Sequence, residues 1–499
     1  MPPRRAVIWL IAISTAIRLL WSAFLPISND EAYHWLYTTH PDLSYFDHPP
    51  MTMLVAKAGL LLCGGWVHSF SLRLGFVLFF AGSLWILFRW TSRWFGEAAG
   101  FWAAVGLSLS NYFTAWSGSQ AHPDSPLLFF GLLTLWQSGE AILGDPRQSL
   151  KRWLFVGLAF GAALLSKYHA VLLPAGVALF ALFTKEGRRI FFTPGPYLAV
   201  AIGFALFSPV ILWNVRHDWT SFRFQGSRAV AGAVPVFHEG PLKWLLGPIL
   251  YLFPWIWFWL VWEGFKQLGK LRSSSGIERL LFFQALAPLG FFFVAACFNR
   301  AVFFHWPLIG FVPLYPLVGA FWVKLKARFP LGFKLSVLGW TLALFAIDGL
   351  VLFHARTGLL PIPSGVKDVS REFSGWDSVA EELQRRGLLE GRPLIVSPLW
   401  DESAQLAFAL RNSDDVRCWH SFDARGFEFW SHPDDTLGRT ALLIVVDDEA
   451  PELTRREYSP IFETFELAAE FTMTRGGTPF RKVTVYRGVN QSRDRKSVV

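Results

Sequence analysis

The sequence predicts an α-helical polytopic membrane protein with a small α/β domain towards its C-terminal end. Three observations predict this. Charged residues make up 17% of the 499, against about 25% in soluble domains. Several apolar stretches approach the ~20 residues needed to cross a bilayer core. The Lys and Arg residues gather in short clusters between those stretches, as topology signals do.

Helices are the expected form, because hydrocarbon offers unpaired backbone groups no partner. Spans are expected at 6–26, 70–90, 97–114, 125–143, 152–166, 168–184, 190–212, 242–262, 279–298, 302–323 and 335–355, about eleven in all. Arg4-Arg5 and the apolar run to Leu25 resemble a signal peptide. The run exceeds a usual h-region and no A-x-A-like site follows, so a retained first span is expected. With the N-terminus inside, eighteen basic residues fall on the inner side and eight on the outer, the asymmetry of the positive-inside rule. Splitting 152–184 around Ser166-Lys167-Tyr168-His169 keeps the later clusters inside, and eleven spans leave everything after about residue 360 outside. The net charge of +9 is thereby explained without nucleic acid, which is not an expected partner. Cys63, Cys297 and Cys418 form neither a disulfide framework nor a CxxC metal pattern.

The expected organisation is a membrane part over 1–360, with a large polar first outer loop at 27–69. A domain over 361–488 and a disordered tail at 489–499 follow. A helix with charged faces at 378–386 and strands at 393–397, 441–446 and 482–486 suggest α/β structure. No 20–50-residue repeat is visible.

Polar residues gather in the outer loops. The first holds Asn29-Asp30-Glu31 and then Tyr45-Phe46-Asp47-His48-Pro49-Pro50. Adjacent carboxylates can serve as general bases when their surroundings tune them; equally, Asp30 could cap a helix starting at Glu31. Two prolines fix the Asp47-His48 turn and remove two N–H donors, which suits either a site or an ordinary surface turn. Asp124, before the fourth span, fits a cap or a site. Lys167 is costly at its depth and should face a cavity or an anion, unless it snorkels to the interface. Arg300 with His305, and Arg216, His217, Arg223 and Arg228, add further cations. Acids in one loop and cations in others suggest an anionic, phosphate-bearing substrate. No P-loop, no GxGxxG and no H-E-x-x-H or H-x3-H spacing occurs, so no cofactor is expected to be required and no metal is predicted.

Asp30-Glu31 after the first span, the 45–50 turn, Asp124, Lys167 and the C-terminal α/β domain together resemble the GT-C glycosyltransferases. Within them the match is to the bacterial branch related to protein O-mannosyltransferases and the lipid A aminoarabinose transferases. The resemblance covers about 15–325 and, more loosely, the C-terminal domain. It implies a multi-pass protein of the bacterial inner membrane with a periplasmic C-terminal domain. It also implies inverting transfer of a sugar from a polyprenyl-phosphate donor to a lipid, glycan or protein acceptor on the periplasmic face. Asp30 or Glu31 would be the base on the acceptor hydroxyl and Asp124 would orient acceptor or base. His48 stands where the aminoarabinose transferases carry a Lys that holds the donor phosphate; Lys167, Arg300 and His305 would add charge there. Asp47, Tyr45 and Tyr168 would support the site. The competing expectations are a transporter, whose polar residues should instead lie near the bilayer midplane, and a non-catalytic lipid-binding scaffold.

Overall fold

A computed structural model describes residues 1–230, 239–299, 302–360, 362, 368–419, 423–430 and 433–492. The chain divides into two compact units. A helical unit comprises Met1–Ser22, Leu43–Leu62 and Arg73–Ala346, and a mixed unit comprises Ala23–Asp42, Cys63–Leu72 and Ile347–Val499.

In chain order the helices up to the first site loop are α1 (Pro3–Phe24), α2 (Asn29–Thr39), α3 (Met51–Leu62), α4 (Ser69–Phe95) and α5 (Glu97–Ser108). Next come α6 (Asp124–Leu143), α7 (Ser149–Ser166), α8 (Leu172–Phe183), the single turn α9 (Lys185–Arg188), α10 (Gly195–Arg216) and α11 (Thr220–Val230). The bundle ends with α12 (Glu239–Leu252), α13 (Pro254–Lys270), α14 (Gly276–Phe298), the short α15 (Leu308–Phe311), α16 (Tyr315–Arg328) and α17 (Pro330–Thr357).

Among the described residues eight helices are long and apolar enough to cross a membrane. A ninth exists if Tyr168–Phe183 and Lys185–Phe192, bent by 109°, count as one span. The expected count of about eleven is therefore not reached, for two local reasons. The stretch expected at 97–114 is the 12-residue α5 followed by a π-helical turn at Tyr112–Trp116. The stretch expected at 242–262 breaks between α12 and α13 at Phe253, whose φ of 72° a helix cannot contain.

Small residues bring helices close where no hydrophobic gradient drives them together. A Cβ on Gly157 of α7 would meet the Ala199 carbonyl of α10 at 2.9 Å, and one on Gly203 would meet the Phe160 ring at 2.4 Å. Trp90, Tyr315 and Trp322 are fully buried in the bundle core. In contrast, only 6% of the apolar window of α17 is buried, a surface that suits lipid and not water.

The mixed unit carries one five-stranded sheet, in the order β2-β1-β3-β5-β4. Its strands are β1 (Leu394–Ser397), β2 (Val416–Cys418), β3 (Ala441–Val446), β4 (Phe462–Arg475) and β5 (Thr478–Gln491), with helices α18 (Trp376–Arg385), α19 (Trp400–Leu410) and α20 (Pro451–Tyr458). β1 pairs parallel to both β2 and β3, while β5 is antiparallel to β3 and β4. The crossover between β1 and β2 is α19, and α2 packs on it. Asn29 Nδ2 donates to Asp401 Oδ2 at 2.9 Å, Gln405 Nε2 donates to the Ile27 carbonyl at 3.2 Å, and Trp35 meets Phe408 edge-on at 5.5 Å. The first half of the polar loop thus folds with the C-terminal domain.

Candidate active site

The helical unit brings several of the expected residues together. Lys167 follows the last turn of α7 with extended backbone, and Asp124 opens α6 without capping it. Their side chains meet across the two helices, Lys167 Nζ donating to Asp124 Oδ1 at 2.9 Å and to Oδ2 at 2.7 Å. The Lys167 side chain is 8% exposed and that of Asp124 15%. The capping reading of Asp124 and the snorkelling reading of Lys167 are both corrected by this pair: a cation at that depth is held by a carboxylate.

Imidazoles surround the pair. His305 and His169 lie close enough for their charge to act on Asp124, and His48 and His305 act on His169. The rings are held by stacking. Tyr112 lies parallel to His305 at 5.7 Å, and Trp306 meets His169 edge-on at 5.4 Å. Tyr112 opens the π-helical turn, a distortion that often marks functional segments. Trp116, at the end of the same turn, stacks on His122 at 4.9 Å.

The Tyr45–His48 turn closes on itself, Tyr45 N donating to the His48 carbonyl at 3.1 Å. α11 holds it from outside. Ser221 Oγ donates to the Tyr45 carbonyl at 2.9 Å and Gln225 Nε2 to the Asp47 carbonyl at 2.8 Å. Tyr45 and Asp47 are buried and His48 is half-buried. The Tyr168 phenol lies beside Ser44, Ser221 and Asn214 and feels the charge of Asp47. Arg300, a predicted phosphate ligand, lies outside the described residues. Among the described residues no group of three or more His, Cys, Asp or Glu is placed to hold a metal.

The paired carboxylates of the first loop belong to the mixed unit. Ser28, not Asp30, is the N-cap of α2, which corrects the capping reading of Asp30. Glu31 completes a capping box: its buried carboxylate accepts from Ser28 N and Ser28 Oγ, both at 3.1 Å. Asp30 is exposed on the first turn, and among the described residues no hydrogen bond or ion pair engages its side chain. The hydroxyl of the buried Tyr33 accepts the Gly426 N–H at 2.8 Å.

Sequence reading passed over Ser221, Gln225 and Tyr112, and it noted His169 and Trp306 without giving either a role. Ser221, Gln225, Tyr112 and Trp306 act on backbone or rings of residues far away in the chain, and no local pattern signals that. His169 was visible beside Lys167 as a polar break in an apolar run.

Residues 47–213 match the family model of dolichyl-phosphate-mannose-protein mannosyltransferases. The chain is 24% identical over 391 residues to the lipid A galacturonosyltransferase RgtD of Rhizobium johnstonii, covering 77% of this chain and 78% of that protein. The fold is that of ArnT from Cupriavidus metallidurans. The structure bound to undecaprenyl phosphate superposes with a TM-score of 0.66 at 14% identity, covering 96% of this chain and 97% of that one. The apo structure gives 0.64 at 16%, with the same coverage. The matched family segment spans the Asp47-His48 turn, Asp124 and Lys167, the residues gathered in the helical unit. The chain thus shares its fold with ArnT and, over residues 47–213, resembles the dolichyl-phosphate-mannose-protein mannosyltransferases.

Proposed function

We propose that the protein transfers a sugar from a polyprenyl-phosphate donor to lipid A or a related glycan or lipid on the periplasmic face of the inner membrane. The observation that carries this reading is the buried Lys167–Asp124 pair with His169 and His305 beside it and His48 near His169. Such a group can receive a phosphate at the mouth of a lipid-facing bundle. The names of the relatives support the rest, since RgtD acts on lipid A and the ArnT structure holds undecaprenyl phosphate. The positive-inside pattern supports an inner N-terminus and a periplasmic C-terminal domain.

In the proposed reaction the acceptor hydroxyl attacks the anomeric carbon, the carbon–oxygen bond to phosphate breaks, and the configuration inverts. The acceptor proton goes to a carboxylate and polyprenyl phosphate leaves. Asp30 is the better candidate for the base, because Glu31 is engaged in its capping box. Phosphate oxygens and Asp124 compete for the Lys167 ammonium, so donor binding loosens a pair that is closed without it. Charge developing on the phosphate then draws the ammonium most strongly in the transition state.

Lipid and glycan mass spectrometry of a deletion strain against its parent tests the reading. A sugar should be missing and return with the wild-type gene and with E31Q, but not with D30N or K167Q. Full restoration by both D30N and E31Q would overturn the base assignment. An unchanged glycoconjugate profile in the deletion strain would overturn the transfer itself.

A further inference from the structure

The mixed unit carries a half-open cavity of about 230 Å³ that the proposed transfer reaction does not use. Its walls come from the end of α1, the segment leading into α4, the end of α17 and the α/β domain, so three apolar spans terminate around it. Three guanidiniums line it, those of Arg356, Arg411 and Arg475, against one lining carboxylate, Asp377. Arg475 is partly neutralised, donating to Asp368 Oδ2 and Ser370 Oγ, both at 2.9 Å. Arg356 donates to the Phe24 carbonyl, and the Arg411 guanidinium donates to the Phe408 carbonyl and lies 4.2 Å over the Phe408 ring. Among the described residues neither is within ion-pair distance of a carboxylate.

The indole N–H of Trp376, 5% exposed, and Arg475 Nε are buried behind this wall and meet no acceptor among the described residues. Arg411 also stands at the left-handed C-cap of α19, with φ at 52°, where glycine costs less than any side chain.

We infer that this cavity is a binding site for the phosphate of a lipid headgroup. The excess of guanidiniums over carboxylates calls for an anion rich in acceptor oxygens, and guanidinium forks fit phosphate in pairs. The volume admits a headgroup and not merely the water that about 10–15 Å³ would hold. A lipid rather than a soluble anion is the occupant, because the walls are the ends of membrane-crossing helices and include the rings of Phe373 and Phe408.

Binding is measured on the full-length detergent-solubilised protein by native mass spectrometry. The probes are phosphatidylglycerol, bisphosphorylated lipid A, phosphate-free diacylglycerol and inorganic phosphate. Wild type should retain the two phosphorylated lipids over diacylglycerol, and R356Q/R411Q should weaken that retention about tenfold. Arg411→Gly guards against misfolding, since glycine suits the backbone there; it should weaken binding several-fold at an unchanged melting temperature. The ratio of phosphatidylglycerol to lipid A retained identifies which lipid carries the phosphate. Equal retention by wild type and variants overturns the site, as does equal retention of diacylglycerol. Displacement by millimolar inorganic phosphate overturns the lipid assignment. The readout needs no turnover, so D30N, which should abolish transfer, should bind these lipids as wild type does.

Discussion

Lys167 and Asp124 share two hydrogen bonds in a nearly closed setting, and removing either partner strands the other. K167M or D124N alone should therefore cost about 3–5 kcal/mol, whereas the paired apolar replacement K167L/D124L should recover most of that stability. Detergent melting curves of the three variants check this, and the double variant should remain inactive if the pair serves the donor. At Glu31 the separation is chemical. Glutamine keeps a carbonyl acceptor for the capping box but accepts no proton, so E31Q should fold normally and remain active. Ser28→Ala should cost about 1 kcal/mol through the lost cap, read by the same melting curves. These residues also mark what was legible. Asp30, Asp47, Asp124 and Lys167 stood out as charges beside apolar runs. The partnership of Asp124 and Lys167 did not, because 43 positions separate them and only helix packing closes the gap. The role of Glu31 was readable from Ser28-x-x-Glu31, a capping-box pattern that the adjacent Asp30 obscured.

α19 illustrates how an element couples chemistry to folding. Burial, assisted by the charges of Asp401 and Asp447, pushes the Glu402 carboxyl up to about 7 against the hydrogen bond from Ser397 Oγ and the charge of Arg481. The folded state therefore holds a proton that the unfolded chain has lost between about pH 4.5 and 7. Stability should fall as pH rises through that window and level off above it. Glu402→Gln should flatten the profile, as thermal melts across pH 5–8 would show. Since α19 carries Asp401, Gln405 and Phe408, all in contact with α2 or its approach, loosening this helix should raise hydrogen exchange in α2 as well. Among the elements, β1 and β3 were legible as buried apolar runs and α18 as a helix with charged faces. β2 escaped because it has three residues. β4 escaped because its glutamates Glu463, Glu466 and Glu470 disguise a strand with few buried positions.

For the whole molecule, packing divides the chain differently from chain order. A polytopic bundle followed by an α/β domain was legible, since both follow from hydropathy and strand patterns. That residues 23–42 fold with 347–499 was not, because the contacts join positions more than 330 residues apart. Ending the chain at residue 360 should consequently unseat α2, exposing Tyr33 and Trp35. Limited proteolysis should then cut within 27–42, a segment that stays protected in the full chain.

The pairing of α2 with α19 also sets a clock. At roughly 5–20 residues per second of synthesis, α2 leaves the ribosome about 20–70 s before α19 exists to receive it. The segment bearing Asp30 spends that interval without its seat, however complete the membrane bundle is. A nascent or prematurely ended chain thus enters the bilayer with one acid of the proposed reaction still unplaced. Competence to act arrives only with the last fifth of the polypeptide.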